Sequence, residues 1–149
     1  MDKFWKKVCK AKARIKAVAT DLSAAFISSV MENAPDAALV FDHFHVVKLM
    51  NDTLDKLRRQ AYNQEADLMK RKVLKGTRWL LLCNGEDIYD SYHKNRLENA
   101  LEMNAPLMKG YYLKEALREI WMQVDKGQAE KVLCDWVRQA RDSKVPLLI

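Results

Sequence analysis

The sequence contains few cysteines, and they form neither a metal-binding motif nor a disulfide framework. Only three occur in 149 residues, Cys9, Cys83 and Cys134, and no C-x-x-C pair is present. This number and spacing predict neither a zinc ribbon nor a disulfide-stabilised fold. Scattered thiols of this kind are typical of proteins in a reducing, intracellular compartment.

Long apolar runs and leader segments are lacking as well. No run approaches the ~20 apolar residues that a membrane-spanning helix needs. The strongly basic N-terminus has neither the apolar core nor the small-residue cleavage site of a signal peptide. Phe4, Trp5, Val8 and Cys9 share one helical face there, which predicts a short amphipathic helix over residues 1–14. Contact of this segment with nucleic acid or a membrane surface is the alternative.

The usual signatures of nucleotide-binding loops and zinc proteases are also missing. No G-x-x-x-x-G-K-[ST], G-x-G-x-x-G or H-E-x-x-H motif occurs. The composition is globular, with 49% hydrophobic and 31% charged residues and a net charge of +6. A domain of this length can bury about 70% of its unfolded surface. The basic balance is compatible with nucleic acid as a partner but does not require it.

Residues 15–48 predict one strand–helix–strand unit. The segment IKAVATD predicts a strand that ends at Asp21, and AALVF predicts a second strand that ends at Asp42. Between them, apolar residues recur at helical spacing after a candidate N-cap, Ser23. Because a helical crossover makes the two strands parallel, both aspartates are expected at the carboxyl edge of the sheet, where open α/β sheets bind ligands.

Residues 49–149 predict an all-helical region. Apolar stripes recur at helical spacing and are interpreted as core, while KGTRWLLL is ambiguous between a helix and a buried segment. Gly127 is expected to separate the last two helices. The predicted fold class is therefore α/β plus α, a βαβ unit followed by a helical region. The stripes include Leu54, Leu57, Leu97, Leu101, Leu113, Leu117, Val124, Val132 and Ala140.

Asp21 and Asp42 form the first candidate site. Paired carboxylates at strand ends can hold magnesium, which prefers oxygen ligands, and two such ions can clamp both oxygens of a phosphoryl transfer. The alternative is structural: Asp21 caps the following helix, and Asp42 only ends a strand. Spacing alone favours this structural alternative.

His43 and His45 form the second candidate. Both would lie on one face if the strand continued past Asp42. An H-x-H pair with a carboxylate is compatible with zinc, with a third ligand from a distant residue such as His93. A hydrogen-bonded histidine at a strand end is the commoner arrangement.

A basic cluster in the helical region is the third candidate. It could contact nucleic-acid phosphates, or it could be a solvated helix face. Its members are Lys70, Arg71, Lys72, Lys75 and Arg78.

Taken in order, these segments resemble transposases of the ISL3 type, a bacterial insertion-sequence family in the DDE superfamily. The resemblance covers nearly the whole chain without large gaps. It is carried by the stretch IKAVATDLSAAFISSVMENAPDAALVFDHFHVVKLMNDTLDKLRR and by LKGTRWLLL, LEMNAPLMKGYYLKEALREIW and WVRQARDSKVPLL.

The resemblance implies a ribonuclease-H-like catalytic fold, on which three acidic residues hold two magnesium ions. Asp21 in VATDLS matches the second acid, so it is the expected metal ligand and a catalytic residue. Asp42 and His45 in DHFH match a C/D-x-x-H signature of related transposases and are expected in the catalytic site. His43 stands where that signature leads us to expect arginine.

The resemblance also implies that two acids are missing. The first acid belongs on an earlier strand, and the sequence predicts no such strand. The third acid should follow a helical insertion. Residues 49–149 match that insertion, so the third acid is expected about where the chain ends. The expectation is an internal fragment of a transposase that is inactive alone and whose status as an enzyme is open. Its partners would be DNA ends, intact transposase or a second copy, in the bacterial cytoplasm. The alternative is a non-catalytic DNA- or transposase-binding module.

Overall fold

The computed structural model describes residues 2–149 and divides the chain into two compact units, Met1–Lys48 and Leu49–Ile149. Helices dominate the structure, and one small sheet lies in the first unit. The α/β-plus-α class predicted from the sequence is therefore confirmed. Among the described residues, no helix is both long enough and apolar enough to cross a membrane.

The first unit contains the predicted strand–helix–strand arrangement. Helix α1 (Asp2–Lys10) precedes strand β1 (Ala17–Thr20), helix α2 (Ala24–Asn33) and strand β2 (Ala38–Phe41). The two strands pair in parallel and in register, from Ala17 opposite Ala38 to Thr20 opposite Phe41. This is the pairing that a helical crossover requires.

Helix α1 contacts α2 through a tryptophan. Trp5 is 7% exposed, and its Nε1–H donates to the Ser29 hydroxyl at 2.8 Å. Among the apolar residues at helical spacing on α2, Val30 is buried, whereas Phe26 and Met31 are 44% and 65% exposed. The unit thus buries less apolar surface than its sequence pattern suggests.

One face of the sheet is uncovered in the first unit. Ala17, Ala19, Ala38 and Val40 alternate onto that face and are all exposed. Val18 and Leu39 on the opposite face are partly buried. Since parallel sheets are normally covered on both faces, this apolar surface is unusual.

The second unit is a set of short helices that begin at polar caps. Asp67, Asp90, Asn104 and Asp125 each accept hydrogen bonds from backbone N–H groups of the first helical turn. After α3 (His43–Gln64), which crosses the boundary between units, the helices are α4 (Leu68–Gly76), α5 (Arg78–Leu82), α6 (Ser91–Glu102), α7 (Ala105–Glu119) and α8 (Lys126–Asp142).

The predicted stripes on α3 and α6 line one core in this unit, whereas on α8 Ala140 is the one buried residue. Leu54, Leu74, Leu81, Ala100 and Leu107 are at most 1% exposed. The ambiguous KGTRWLLL segment is helical, forming the end of α4 and all of α5.

Two expectations for the C-terminal helices were wrong. Gly127 lies in the first turn of α8, and the break comes earlier, at Gln123–Asp125, where Asp125 caps the helix. Val124 belongs to this break and is 97% exposed, so the stripe that includes Leu117 does not continue to it.

A buried lysine joins α7 to the C-terminal end of α5 and the residue that follows it. Lys114 is 3% exposed, and its Nζ donates to the backbone oxygens of Leu81 at 3.0 Å and Cys83 at 2.5 Å. Oε1 of Glu115 lies 2.6 Å from the same nitrogen. The ammonium also lies 4.7 Å from the ring centroid of Tyr111. Burial is the main cause that raises the pKa of Tyr111 to about 12, and the charge of Glu115 adds to it.

Candidate functional site

The carboxyl edge of the sheet brings Asp21 and Asp42 next to each other. Each aspartate directly follows the last residue of its strand, and those last residues, Thr20 and Phe41, are paired in register. The Asp42 N–H donates to the Thr20 oxygen at 3.2 Å, which extends the pairing by one residue. The two carboxylates therefore leave the sheet at equivalent positions on adjacent parallel strands.

Asp21 holds the turn into α2 and keeps one oxygen available. Its Oδ1 accepts the Ser23 N–H at 3.0 Å, whereas the Ser23 side chain makes no capping hydrogen bond. Among residues 2–149, Oδ2 of Asp21 takes part in no hydrogen bond. A carboxylate oxygen of this kind suits magnesium chemically, but a single carboxylate supplies too few ligands for a metal centre.

Asp42 caps α3 and orients a histidine. Its Oδ1 accepts the Phe44 N–H at 3.0 Å, and its Oδ2 lies 3.1 Å from Nδ1 of His45. The pKa of Asp42 is lowered, mainly by the hydrogen bond from the Phe44 backbone N–H. Desolvation acts in the opposite direction, and the hydrogen bond and charge of His45 lower the pKa further. A carboxylate on Nδ1 leaves Nε2 of the His45 ring to face other groups.

The strand does not continue through the two histidines. Helix α3 begins at His43, so the alternation that would place His43 and His45 on one strand face does not apply. His93 pairs with Asp90 one turn away, at the start of α6. Across residues 2–149, no three His, Cys, Asp or Glu side chains form a group that could hold a metal ion. The zinc alternative considered for His43 and His45 is therefore not formed among these residues.

An apolar cleft of about 470 Å³ lies beside Asp21. Its walls come from α1, β1 and α2, so the N-terminal helix contributes to the surroundings of the candidate site. Spacing in the sequence gave no sign of this contact, because it depends on how α1 packs in three dimensions. The lining residues are Phe4, Trp5, Val18, Ala19, Thr20, Asp21, Phe26 and Val30.

The basic cluster divides into two kinds of residue. Lys70, Lys72 and Lys75 lie on α4 and are exposed. Arg71 is partly buried, with its guanidinium 4.6 Å from the Tyr62 ring centroid. Arg78 opens α5 and pairs with a buried aspartate that the sequence pattern did not single out.

That aspartate is Asp55, and it binds three arginines. The side chain is 10% exposed, and its carboxylate lies 2.8 Å from Arg58, 2.8 Å from Arg59 and 3.4 Å from Arg78. Burial alone would raise the pKa of Asp55. The hydrogen bond and charge of Arg58 and the charges of Arg59 and Arg78 outweigh burial, so the pKa of Asp55 is lowered overall. The spacing of Asp55, Arg58 and Arg59 on one helix was a usable signal in the sequence.

Comparison with known proteins identifies the class to which the chain belongs. The family model for ISL3-type DDE transposases, described as "Transposase", matches residues 1–149. The chain is a member of this transposase family, and the resemblance seen in the sequence is confirmed.

Curated relatives are transposases of bacterial insertion elements. The chain is 34% identical over 137 residues to the transposase for insertion sequence element IS1001 of Bordetella parapertussis, with 91% of this chain and 34% of that protein covered. It is 26% identical over 159 aligned positions to the transposase for IS1557 of Mycobacterium tuberculosis, with 92% and 35% covered. The chain thus spans about a third of the length of these relatives. No solved structure matches it.

Proposed function

We propose that this chain forms part of a DDE transposase, which cleaves and joins DNA by magnesium-dependent phosphoryl transfer. One observation carries the proposal: a chain of the transposase family places Asp21 and Asp42 side by side at the carboxyl edge of a parallel βαβ unit. In this proposal residues 15–48 belong to a ribonuclease-H-like core, and residues 49–149 form a helical insertion. The substrate is DNA at element ends in a bacterial cytoplasm.

Each residue of the edge has a distinct role in this proposal. Asp21 offers its unengaged Oδ2 to magnesium, and the Ser23 N–H on Oδ1 fixes the carboxylate in place. Bound magnesium would stabilise the charge that develops on the transferring phosphoryl group. Asp42 fixes the His45 ring through Nδ1, so that His45 shapes the wall beside the metal and offers Nε2 for contact with DNA.

The 149-residue chain alone is inactive in this proposal. A two-metal site needs several carboxylates together, because one carboxylate cannot hold two divalent cations against their mutual repulsion. Asp21 supplies one of them. The remaining acids would come from other segments of the longer transposases in the family.

The role of Asp21 can be tested with manganese, a paramagnetic substitute for magnesium. We expect weak Mn²⁺ binding that broadens amide NMR signals around Asp21 and the start of α2, because one available carboxylate oxygen attracts a hard cation. The variant Asp21→Asn should lose this selective broadening. The matched control Asp36→Asn removes an exposed carboxylate of the same unit and should retain it.

Two outcomes would contradict these assignments. Broadening that survives in Asp21→Asn would show that the metal binds elsewhere. Strand cleavage of inverted-repeat DNA by the 149-residue chain with magnesium, lost in Asp21→Asn, would overturn the inactivity of the chain.

A second candidate function is a non-catalytic DNA-binding module, and one observation favours it. Lys70, Lys72 and Lys75 are exposed on a single short helix and form none of the ion pairs seen among residues 2–149. Three such ammonium groups suit a polyanion such as the DNA backbone. The same surface could also meet an intact transposase.

The salt dependence of DNA affinity tests this second function. Removing one phosphate contact should reduce the slope of log K against log salt by about 0.9 for duplex DNA. We therefore expect the triple variant Lys70→Gln, Lys72→Gln, Lys75→Gln to reduce that slope by up to about 3. The measurement is fluorescence anisotropy of a labelled duplex over a salt series.

The control removes the same charge from other exposed positions. The control is the triple variant Lys94→Gln, Lys126→Gln, Lys131→Gln, whose positions are exposed on α6 and α8. It should keep the salt slope of the unmodified chain. Equal reductions of the slope in both variants would mean that net charge alone binds DNA. Absence of DNA binding at low salt would remove the second function.

A further inference from the structure

A fixed pair of arginines lies on the surface of the second unit, beside an exposed tryptophan. Asp55 holds both Arg59 and Arg78, and among residues 2–149 it is the sole carboxylate within 4.0 Å of either one. The third arginine on Asp55, Arg58, is 11% exposed and also donates to the Leu74 oxygen at 3.4 Å.

The charges in this cluster do not balance. Asp55 supplies one negative charge against three guanidinium groups. Arg58 is enclosed with it, whereas the side chains of Arg59 and Arg78 are 67% and 44% exposed. Each guanidinium has five N–H donors in a planar fork, so most donors of the two exposed arginines face solvent. A surface with two fixed, unneutralised guanidinium groups suits a phosphate.

Trp79 adds a different kind of contact. The Arg78 guanidinium lies 4.7 Å from the Trp79 ring centroid, yet Trp79 is 71% exposed. With 71% of the residue exposed although Arg78 lies over the ring, most of the indole surface is open to solvent. An exposed indole stacks well on a nucleobase, but only when that base is not already stacked within a duplex.

From these contacts we propose that Arg59, Arg78 and Trp79 form a site for an unpaired nucleotide of DNA. The phosphate lies on the two guanidinium groups, and the base stacks on the exposed indole of Trp79. Asp55 is a positioning residue, because it fixes both arginines without contacting the ligand. This inference rests on the second proposed function, DNA binding, and adds that the bound strand contains unpaired bases.

The site predicts a preference for single strands. The probe is a short mixed-sequence single-stranded DNA oligonucleotide, compared with the same oligonucleotide annealed into a duplex. We expect the single strand to quench tryptophan fluorescence and to bind more tightly than the duplex. Trp79→Leu should weaken single-strand binding about 5- to 100-fold, since base stacking on an aromatic side chain contributes by that order, and should leave duplex affinity unchanged.

The arginines are tested by salt dependence. Arg59→Gln should reduce the slope of log K against log salt for the single strand by about 0.7, the value for one phosphate contact. Two controls match these variants: Arg138→Gln, an exposed arginine paired with one aspartate on α8, and Trp121→Leu, a partly exposed tryptophan in the same unit. Both should bind the single strand as the unmodified chain does. Far-UV circular dichroism and thermal unfolding verify that each variant is folded.

The outcomes separate this inference from the function on which it rests. If DNA binds but neither Trp79→Leu nor Arg59→Gln weakens single-strand binding, the nucleotide site is wrong and the DNA-binding module stands. If neither DNA form binds at low salt, both are wrong. Poly-glutamate provides a last comparison. If it displaces the single strand as well as unlabelled single-stranded DNA does, and if Trp79→Leu does not change its affinity, the arginines bind acidic polypeptides and the nucleotide site is wrong.

Discussion

Replacing Lys114 with methionine should lower the free energy of unfolding by about 3 kcal/mol, because it removes one charge from a group of buried acceptors. Methionine fills a similar volume, so little of this effect comes from packing. The Leu81 and Cys83 oxygens would lose their shared donor. The Glu115 carboxylate would lose its nearer cation and keep Arg118, which lies 3.9 Å from its Oε2. Urea unfolding followed by far-UV circular dichroism measures the change.

The size of this effect depends on burial, and α7 supplies a matched control. Lys109 also donates from α7 to a backbone oxygen, that of Ser143 at 3.0 Å, but it is exposed. Water can replace the Lys109 ammonium, so Lys109→Met should cost less than about 1 kcal/mol. Equal destabilisation of the two variants would mean that the buried position of Lys114 does not matter to stability.

The substitution Asp55→Asn should lower the unfolding free energy by about 3 kcal/mol near neutral pH, since it leaves the enclosed Arg58 without its anion. The sign of the pH dependence follows from the lowered pKa of Asp55. Its carboxylate stabilises the fold fully above the unfolded pKa of about 3.9. That stabilisation is lost as pH falls through the lower, folded pKa.

The difference in unfolding free energy between the unmodified chain and Asp55→Asn should therefore be constant above about pH 5. It should shrink at lower pH, where Asp55 is protonated. Urea unfolding at a series of pH values measures it. The control is Asp135→Asn, which removes an exposed partner of Arg138 and should change stability by less than about 1 kcal/mol. A difference for Asp55→Asn that does not shrink in acid would contradict the assigned ion pairing.

The positions of Asp21 and Asp42 could be predicted from the sequence because both signals are local. Each strand is a short apolar run, and each run ends at an aspartate that must turn out of the sheet. The crossover rule then fixes the parallel direction of the strands. What the pattern could not supply is the hydrogen bonding of each carboxylate, which decides that Asp42 orients His45 and that Asp21 keeps one oxygen available.

Both histidines lie on α3, whereas the sequence predicted that the strand ends at Asp42 and that the helical region begins at residue 49. Val47, Met50 and Leu54 follow helical spacing, and Met50 and Leu54 are buried. The helical spacing was recognised from residue 49 onward, so the start of α3 at His43 was missed. Asp42 in fact serves both elements, since it ends the strand and caps α3.

The arginine cluster was only half visible in the sequence. Asp55, Arg58 and Arg59 are three and four residues apart, which is the spacing of ion pairs on one helix. Arg78 lies on another helix, and its approach to Asp55 depends on how α5 packs. The sequence therefore predicted Arg78 as a free basic residue, whereas the structure gives it a partner and a fixed position.

The order in which the helices of the second unit pack also bears on folding kinetics. Helices that follow each other in the chain contact each other: α4 with α5, α5 with α6, α6 with α7, and α7 with α8. Contacts between sequence neighbours require little loop-closure entropy, and domains built from them fold in microseconds to milliseconds. Such a region can fold soon after it leaves the ribosome, before its exposed apolar segments meet those of another chain.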